Sequence, residues 1–558
     1  MAESPLDRFL GGGWRALVLA ALAALVAGLP GLIAMPVLDR DEARFAEASA
    51  QMLESGDLVS INFQDQPRYK KPVGVYWLQA LSVAVSSSVE QRQIWAYRLP
   101  SLIGAMAAAA ACAWGAAAFL GPGGGAVAGA ILGCSLILST EAFIAKTDAA
   151  LCGAVTLMMA ALARIYAASR GQAVAGRGTK TLFWVGMALS ILLKGPIGPM
   201  VAALTVLCLW GWDRKAAWLK ELGWTWGIAL VLLVVGPWAL AVTVATDGAF
   251  WTGAVVGDML NKLGSGQESH GAPPGLHTLL APLLLFPSTI LLPAALVWGW
   301  KAREDAGVRF ALCWLVPSWI VFELAPTKLP HYTLPLYGAL AWLIAGALAR
   351  PIGRISRVVG AGLGLLMAAL LAGAGVVLAL RFGGEGSLPW AVAAAALIGG
   401  SALASSALIL FKRKSLAALG AAGVLGVLGH DALAAGLAPS LKPLWLSNRA
   451  ARAVKATGLD PRNGVTPGPV AVAGYGEPSI VFLLGSRTEL GDGEVAAAAI
   501  SEGRPALVER AALPEFQGAL AAQEAKAAPV GEIKGLDYSK GKPVDLFLYR
   551  SLETGDQP

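Results

Sequence analysis

Long apolar runs recur along this chain so often that a membrane-embedded helical fold is the architecture that can satisfy its backbone. The 558 residues are 56% hydrophobic and 14% charged, whereas a soluble globular protein carries about 25% charged residues. Several runs are shorter than the roughly 20 residues of a full crossing, so some spans are predicted to be broken or tilted. About thirteen spans are predicted, at 16–36, 99–119, 126–142, 149–167, 181–193, 196–211, 224–245, 278–299, 310–325, 332–349, 358–380, 388–410 and 416–438.

Positive charge alternates between the predicted loops as the positive-inside rule requires when the N-terminus is cytoplasmic. An odd number of spans then places everything after about residue 440 on the far side of the membrane. We favour an uncleaved first helix over a signal peptide, because no clear small-x-small cleavage site precedes the charged residues that follow it. The cytoplasmic loops hold Arg164, Arg170, Arg177, Lys180, Arg214, Lys215, Lys220, Lys301, Arg303, Arg309, Arg350, Arg354, Arg357, Lys412, Arg413 and Lys414.

The first external loop, residues 37–98, departs from this alternation because it is rich in cations. Its start, Asp39-Arg40-Asp41-Glu42-Ala43-Arg44, mixes carboxylates with arginines, and Arg68, Lys70 and Lys71 follow. Basic residues on the external side of the membrane, against the positive-inside rule, suggest a functional role, and binding an anion is the simplest such role. A carboxylate that accepts a proton beside cations that hold a phosphate is suited to glycosyl transfer from a lipid phosphate. Arg92 and Arg98 are explained by solvated surface or lipid headgroup contact.

The segment after residue 440 changes character, with mixed charge and short apolar runs. Residues 469–473, 505–508 and 544–549 are predicted strands, 515–524 a helix, and 478–484 a helix or a buried strand. This pattern predicts a small α/β domain without a nucleotide-binding fingerprint. Two domains are therefore expected, 1–439 in the membrane and 440–558 in the periplasm. No basic stripe interleaved with aromatics indicates nucleic acid.

Six motifs, each at the external end of a predicted span, resemble the GT-C class of glycosyltransferases. The nearest resemblance is to the aminoarabinose transferases of lipid A and the wider protein O-mannosyltransferase superfamily. It implies a GT-C membrane fold in the bacterial inner membrane, a polyprenyl-phosphate sugar donor and catalysis at the periplasmic face. The motifs are 41–47 (DEARFAE), Lys71-Pro72 with Tyr76-Trp77, Thr147-Asp148-Ala149, 193–196 (LKGP), 270–274 (HGAPP) and 328–332 (KLPHY).

The resemblance implies that Asp41 is the catalytic carboxylate and that Asp148 is a second carboxylate of the site. Structural roles remain open, since Asp41 or Asp148 could cap the helix that follows. Asp39 could be the base instead of Asp41. Glu42 is expected to be structural or to pair with Arg44. The expected donor and phosphate ligands are Arg44, Lys71, Lys194, Lys262, Lys328, His331 and Tyr332.

Some of these ligands have membrane-anchoring alternatives. Lys71 and Lys194 could extend along apolar surface to the headgroups, and His331 and Tyr332 could be interfacial anchors. Lys262 stands where relatives often have arginine, which keeps the charge but loses the bidentate fork.

No cofactor is expected, and no metal site is predicted. In the aminoarabinose transferases a glutamate before the loop lysine helps bind a metal, whereas this chain has Lys70 there. A cation in place of a carboxylate ligand argues against zinc at that position, and His270 alone makes a poor site.

The function that these features predict is an inverting glycosyltransferase. The sugar would pass from a polyprenyl phosphate to lipid A, a core oligosaccharide or another envelope glycolipid. A protein acceptor is the alternative within the same superfamily. A lipid-linked sugar transporter or flippase is the alternative of a different class, although it predicts repeated halves and charges near the bilayer midplane. A non-catalytic assembly or sensor protein would leave the charged first loop unexplained.

Overall fold

The structure, a computed structural model, describes residues 13–260 and 271–552 and consists mainly of long apolar helices. Within those residues, eight helices are long and apolar enough to cross a membrane. A ninth is counted if Leu276–Leu284 and Ser288–Lys301, which meet at a bend of 113°, form one span. The eight are Trp14–Ala34, Ile94–Gly133, Asp148–Ala168, Trp224–Ala245, Ala306–Leu324, Arg354–Phe382, Ser387–Leu410 and Ser415–Ser440.

The eight helices overlap predicted spans, but the expected count of about thirteen is not confirmed. Ile197–Asp213 has 17 residues and Tyr337–Leu348 has 12, which is short for a crossing of roughly 20. Arg177–Lys194 carries three basic residues in 18. It ends beside Ile197–Asp213 at Gly195-Pro196, where Gly195 has a φ of 61°. The pair predicted to be broken is thus two helices with a sharp turn between them.

Close packing of small residues holds the second and third predicted spans together. The segment Ile94–Gly133 contains two helices joined at Gly121, whose φ of 72° lies in the left-handed region that glycine adopts readily. A Cβ on Gly129 would lie 2.5 Å from the Cβ of Ala20 and 2.6 Å from the carbonyl oxygen of Ala109. Such contacts leave no space for a side chain, as is typical of small residues at membrane helix interfaces.

The first loop folds into ordered elements. Helix Asp41–Ser55 is followed by a short hairpin, Asn62–Phe63 paired antiparallel with Gln66–Pro67, and then by helix Gly74–Ser86. Helix Asp41–Ser55 is largely buried on the side that carries Phe45 and Met52. The charged start of the loop is therefore held on a packed scaffold.

A five-stranded sheet with helices forms the C-terminal region, residues 446–551. The order across the sheet is Glu489–Gly491, Ala471–Ala473, Ala506–Glu509, Lys542–Ser551 and Ala527–Asp537. The first three strands are parallel, and Lys542–Ser551 pairs antiparallel with both of its neighbours, Ala506–Glu509 and Ala527–Asp537. The helices are Leu446–Ala456, Pro478–Leu484, Gly493–Ser501 and Leu513–Ala522.

Direct hydrogen bonds join this C-terminal sheet region to the first loop. The carboxylate of Asp39 accepts a hydrogen bond from the hydroxyl of Ser479, and the amide of Asp39 donates to the hydroxyl of Tyr538 at 2.7 Å. Arg92 donates to the hydroxyl of Ser486 at 2.8 Å. The loop is thus clamped between the membrane helices and the sheet region.

Candidate functional site

A buried cluster of opposite charges lies where the helices Arg177–Lys194 and Asp148–Ala168 meet the 330–336 turn. Lys194 Nζ donates to Asp148 Oδ1 at 2.5 Å. Lys146 Nζ lies 3.0 Å from Glu141 Oε1 and 3.7 Å from Asp148 Oδ2. His331 completes the group, with Nε2 at 3.5 Å from Asp148 Oδ2. Two carboxylates thus face two ammonium groups around one imidazole; we refer to these five residues as the charge cluster.

The segment between Glu141 and Asp148 is short, and two sequence-distant side chains fix its path. The amide of Ala145 donates to Glu42 Oε1 at 2.8 Å. The hydroxyl of Ser101 donates to the carbonyl oxygens of Ile144 at 2.7 Å and Lys146 at 3.2 Å. Because its backbone is held from two sides, Lys146 is presented to the charge cluster in a defined position.

Glu42 connects this segment to the first loop through Arg98. Arg98 donates from Nε to Glu42 Oε1 at 2.8 Å and from a terminal nitrogen to Oε2 at 2.7 Å. The same guanidinium donates to the carbonyl oxygens of Met35 and Pro36. This bidentate, fully hydrogen-bonded geometry is what makes a buried ion pair tolerable. Glu42 is structural, and its partner is Arg98 rather than Arg44.

The surface interpretation of Arg92 and Arg98 is wrong, because both are buried. Arg98 is 0% exposed and Arg92 is 6% exposed. Arg92 donates to Glu47 at 2.6 Å and also pairs with Glu54. A sequence window around either arginine contains no acidic partner at helical spacing, so the pairing could be found only from the fold.

The contacts of His331 determine its tautomer. Its Nδ1 lies 3.2 Å from Lys146 Nζ, and an ammonium group donates hydrogen bonds but cannot accept one. Nδ1 is therefore the acceptor, and the proton of the neutral ring sits on Nε2, which faces Asp148. Burial lowers the pKa of His331 well below its ordinary value, and the ammonium of Lys146 lowers it further, against the opposing effect of Asp148.

Tyr332 lies on the other side of Lys194. The Lys194 ammonium stands 5.0 Å from the centre of the Tyr332 ring, a distance suited to a cation–π contact. The rings of His331 and Tyr332 meet edge to face at 5.3 Å. Lys194 is also the last residue of its helix, where the helix dipole favours a cation. The simple anchoring alternatives for Lys194 and His331 therefore do not describe their contacts.

Asp41 interacts electrostatically with Lys146 of the charge cluster. It is exposed and is the first residue of its helix; Arg40 occupies the N-cap, and no side-chain cap hydrogen bond forms there. Burial lowers the pKa of Lys146, but Glu141 and Asp148 outweigh burial and raise it above its ordinary value. The charge of Asp41 acts on Lys146 in the same direction. Asp41 is thus electrostatically part of the group, whereas the alternative base Asp39 faces Ser479.

Asp148 also begins its helix, Asp148–Ala168, with Thr147 at the N-cap and no side-chain cap hydrogen bond there. The capping alternative for Asp148 is therefore not what the structure shows. Its two oxygens are turned to Lys194, Lys146 and His331 instead.

The remaining predicted ligands are placed differently. Arg44 and Lys71 are half-buried in the first loop. Lys328 is buried, and its ammonium donates to the carbonyl oxygens of Ala272 at 2.8 Å and Ala325 at 2.6 Å. Those bonds tie Lys328 to the backbone rather than to the charge cluster. Lys262 and His270 lie outside the described residues.

Glu141 and Lys146 are the cluster members that sequence reasoning missed. Both fall near the end of an apolar run, beside the Thr147-Asp148 motif. Their spacing could have revealed them, because Glu141 and Lys146 lie within seven residues of Asp148. Charged side chains at a membrane boundary are energetically unfavourable unless they are paired.

The place where the resemblance would put a metal ligand does not suit a metal. Lys70 is exposed and carries an ammonium where a carboxylate would be needed. No step of the chemistry below is therefore assigned to a metal at that position.

Comparison with known proteins finds similarity to glycosyltransferases. A family model described as dolichyl-phosphate-mannose-protein mannosyltransferase matches residues 70–240. The undecaprenyl phosphate-alpha-4-amino-4-deoxy-L-arabinose arabinosyl transferase of Pseudomonas paraeruginosa is 28% identical over 328 residues, 58% of this chain and 58% of that protein. Its counterpart from Pseudomonas aeruginosa is 29% identical over 332 residues, again 58% of each chain. The chain thus spans less than two thirds of the length of these relatives.

Solved structures share the fold. The crystal structure of ArnT from Cupriavidus metallidurans bound to undecaprenyl phosphate superposes with a TM-score of 0.74 at 19% identity, covering 98% of this chain and 100% of that one. The apo oligosaccharyltransferase of Archaeoglobus fulgidus gives 0.50 at 10% identity, covering 93% of this chain and 69% of that one. The resemblance to GT-C glycosyltransferases is confirmed, and the chain has their multi-pass membrane fold.

Proposed function

We propose that this protein is an inverting glycosyltransferase that moves a sugar from a polyprenyl phosphate to an envelope glycolipid. Lipid A is the acceptor class we favour, because the sequence motifs resemble those of the aminoarabinose transferases of lipid A. The similar proteins are named undecaprenyl phosphate-alpha-4-amino-4-deoxy-L-arabinose arabinosyl transferases, in agreement with that resemblance. The observation that carries the proposal is the electrostatic interaction of exposed Asp41 with Lys146 of the buried charge cluster, on a fold shared with an undecaprenyl-phosphate complex.

The site is proposed to face the periplasm of a bacterial inner membrane. Residues 1–439 would form the membrane-embedded catalytic domain, and residues 440–558 a periplasmic α/β domain that closes over the first loop. The hydrogen bonds of Asp39 with Ser479 and Tyr538 support that closing role.

In the proposed reaction an acceptor oxygen attacks the anomeric carbon of the donor sugar. The new carbon–oxygen bond forms as the bond to the phosphate oxygen breaks, and the electron pair leaves with the polyprenyl phosphate. Attack from the face opposite the leaving group inverts the configuration. The phosphate is a good leaving group, so fixed positive charge is the main help that it needs.

Asp41 is assigned as the group that accepts the acceptor's proton. It is exposed, so a substrate can reach it. Asp148 has both oxygens turned to cations, with Lys194 on Oδ1 and Lys146 near Oδ2. We therefore assign Asp148 to holding those cations and His331 in place. Arg44 and Lys71, on the first loop with Asp41, are the proposed phosphate ligands, and Lys262 lies outside the described residues.

The decisive experiment is transfer by the purified chain in lipid nanodiscs with a polyprenyl-phosphate sugar. Asp41→Asn keeps the shape of the side chain but removes the proton acceptor. Loss of a general base lowers rates by about 10²–10⁴, so transfer should fall at least roughly a hundredfold. Asp39→Asn, two residues earlier, is the matched control and should keep most activity. Loss in Asp39→Asn with activity retained in Asp41→Asn would move the base to Asp39.

The acceptor is identified in cells. Mass spectrometry of lipid A and other envelope glycolipids, with and without the chain, should show a sugar that depends on Asp41. The match to the protein mannosyltransferase model over residues 70–240 makes a protein acceptor the second candidate. Glycopeptides that depend on Asp41, with unchanged lipids, would favour that candidate. Movement of lipid-linked sugar across vesicles without any transfer would favour a flippase.

A further inference from the structure

The ammonium of Lys146 lies next to each of three residues that could together bind a metal, which we call the triangle. Glu141, Asp148 and His331 each offer one ligand atom, and these atoms all lie within 4.8 Å of one another. Lys146 Nζ stands among them, 3.0 Å from Glu141 Oε1, 3.2 Å from His331 Nδ1 and 3.7 Å from Asp148 Oδ2. A cation of the protein itself therefore lies where an ion would be coordinated.

The distances from Lys146 Nζ to Glu141 Oε1 and His331 Nδ1, 3.0 Å and 3.2 Å, are those of a hydrogen-bonded ammonium, and Asp148 Oδ2 at 3.7 Å is a longer electrostatic contact. Zinc would lie about 2.0–2.2 Å from its nitrogen and oxygen ligands, so two ligands at a tetrahedral angle would stand roughly 3.4 Å apart. His331 Nδ1 and Glu141 Oε1 are 3.6 Å apart, which is close to that value. The residues are therefore near enough to bind a metal if Lys146 were absent.

Charge makes the two occupants mutually exclusive. Glu141 and Asp148 supply two negative charges, and Lys146 and Lys194 balance them. A divalent ion added to the intact group would leave an excess of positive charge in a buried place. In addition, Glu141 Oε2 is buried and has no hydrogen-bond partner among the described residues. This oxygen is a ligand atom that the ammonium leaves unused.

We propose that Lys146 is a built-in cation that replaces a divalent metal ion at the Glu141–Asp148–His331 triangle. In this role Lys146 is a positioning residue: it holds His331 in the tautomer that presents Nε2–H to Asp148. The backbone contacts of Ala145 with Glu42 and of Lys146 with Ser101 fix the ammonium in that position. The proposal predicts that removing the ammonium creates a metal site.

The test is a Co²⁺ titration of the purified full-length chain, read by the visible absorption of protein-bound cobalt. Lys146→Met keeps an unbranched side chain and removes the charge. This variant should bind one equivalent of Co²⁺, and Lys146→Met with Glu141→Gln should lose that binding. Lys146→Arg, which keeps a cation, should resemble the wild type. A folded Lys146→Met protein that binds no Co²⁺ would overturn the proposal.

The wild type provides an arm that needs no change at Lys146. Wild type and Glu141→Gln should take up Co²⁺ equally, because the ammonium excludes the ion from the triangle. Stoichiometric binding to wild type that disappears in Glu141→Gln would show that metal displaces the lysine, and the proposal would fail. This comparison tests whether the Lys146 ammonium excludes the ion from the triangle, even if Lys146→Met does not fold.

An activity arm rests on the proposed function. Transfer by Lys146→Met should fall at least tenfold and recover partly with added Co²⁺ or Zn²⁺, whereas Lys146→Arg should retain more activity without metal. Absence of transfer in every form, wild type included, would count against the proposed function. The cobalt spectra would still decide the role of Lys146.

Discussion

Arg98 and Glu42 form a salt bridge of 2.7 Å in which both side chains are 0% exposed. The pair joins the last residues of the first loop to the helix that begins at Asp41. Through Ala145 it also reaches the segment that carries Lys146. The position of the candidate base and the position of the central ammonium therefore depend on one buried carboxylate.

We expect Glu42→Gln to destabilise the protein by about 3–5 kcal/mol, because removing one partner of a buried ion pair leaves the other charge uncompensated. The measurement is the unfolding free energy in detergent, with the apparent unfolding temperature as a first screen. Glu54→Gln is the matched control. Glu54 pairs with Arg92, but its side chain is 35% exposed, so water can replace the lost contact. Equal effects of the two changes would contradict the central role of Glu42.

Lys71→Ala and Lys194→Ala should affect catalysis in different ways. Lys71 is assigned to the donor phosphate, which is present before and during reaction, so its loss should raise the apparent donor KM and lower kcat. Lys194 is bound to Asp148 at 2.5 Å, so its loss should mainly lower kcat. Steady-state kinetics with varied donor separates the two. An unchanged donor KM in Lys71→Ala would make that lysine a headgroup anchor.

Asp39 should make stability depend on pH. Burial and the nearby charge of Glu477 raise its pKa from 3.8 to about 7, although the Ser479 hydrogen bond acts in the opposite direction. Because the folded pKa is raised, the stabilising contribution is present below the ordinary pKa and is lost as pH rises towards 7.

Asp39→Asn carries no charge at any pH, so its stability relative to the wild type should rise as the pH increases from about 4 to about 7 and then level off. Apparent unfolding temperatures of both proteins across that range give the comparison. A difference that stays constant with pH would show that Asp39 does not titrate in this window.

The predicted topology can be tested with reporter fusions. A reporter that is active only in the periplasm should be active after Ser440 and inactive after Arg177. This follows from the alternation of basic loops and an odd number of crossings. The opposite pattern would show that the assigned crossings are wrong, and it would move the proposed site to the cytoplasmic face.

Local sequence patterns were sufficient to locate the long membrane helices, because their apolar runs are bounded by charge or glycine. They could not give the number of crossings, since the 113° bend between Leu276–Leu284 and Ser288–Lys301 is a tertiary feature. Strand Ala527–Asp537 was missed because a bulge between Pro529 and Gly531 interrupts its alternation. Strand Ala506–Glu509, a short buried run, was predicted almost to its ends.

For the site as well, sequence motifs identified some residues, whereas other contacts are visible only in the structure. Motifs identified Asp148, Lys194 and His331, and the structure brings these three together. Sequence could not show that Lys328 is tied to backbone carbonyls, because its partner Ala272 is 56 residues away. Glu141 and Lys146 were not predicted as site residues, since neither belongs to a motif. Their place in the charge cluster is visible only from the distances of Lys146 to Glu141, Asp148 and His331.

The clamp between the first loop and the C-terminal sheet region has a consequence for biosynthesis. Arg92 and its partner Ser486 are 394 residues apart. At synthesis rates of about 5–20 residues per second, roughly 20 to 80 s pass between the appearance of one and the other at the ribosome. During that interval the first loop has been translated without the surface on which it comes to rest. The first loop can therefore form its final contacts only late, after the part of the chain that contains Ser486 has been synthesised.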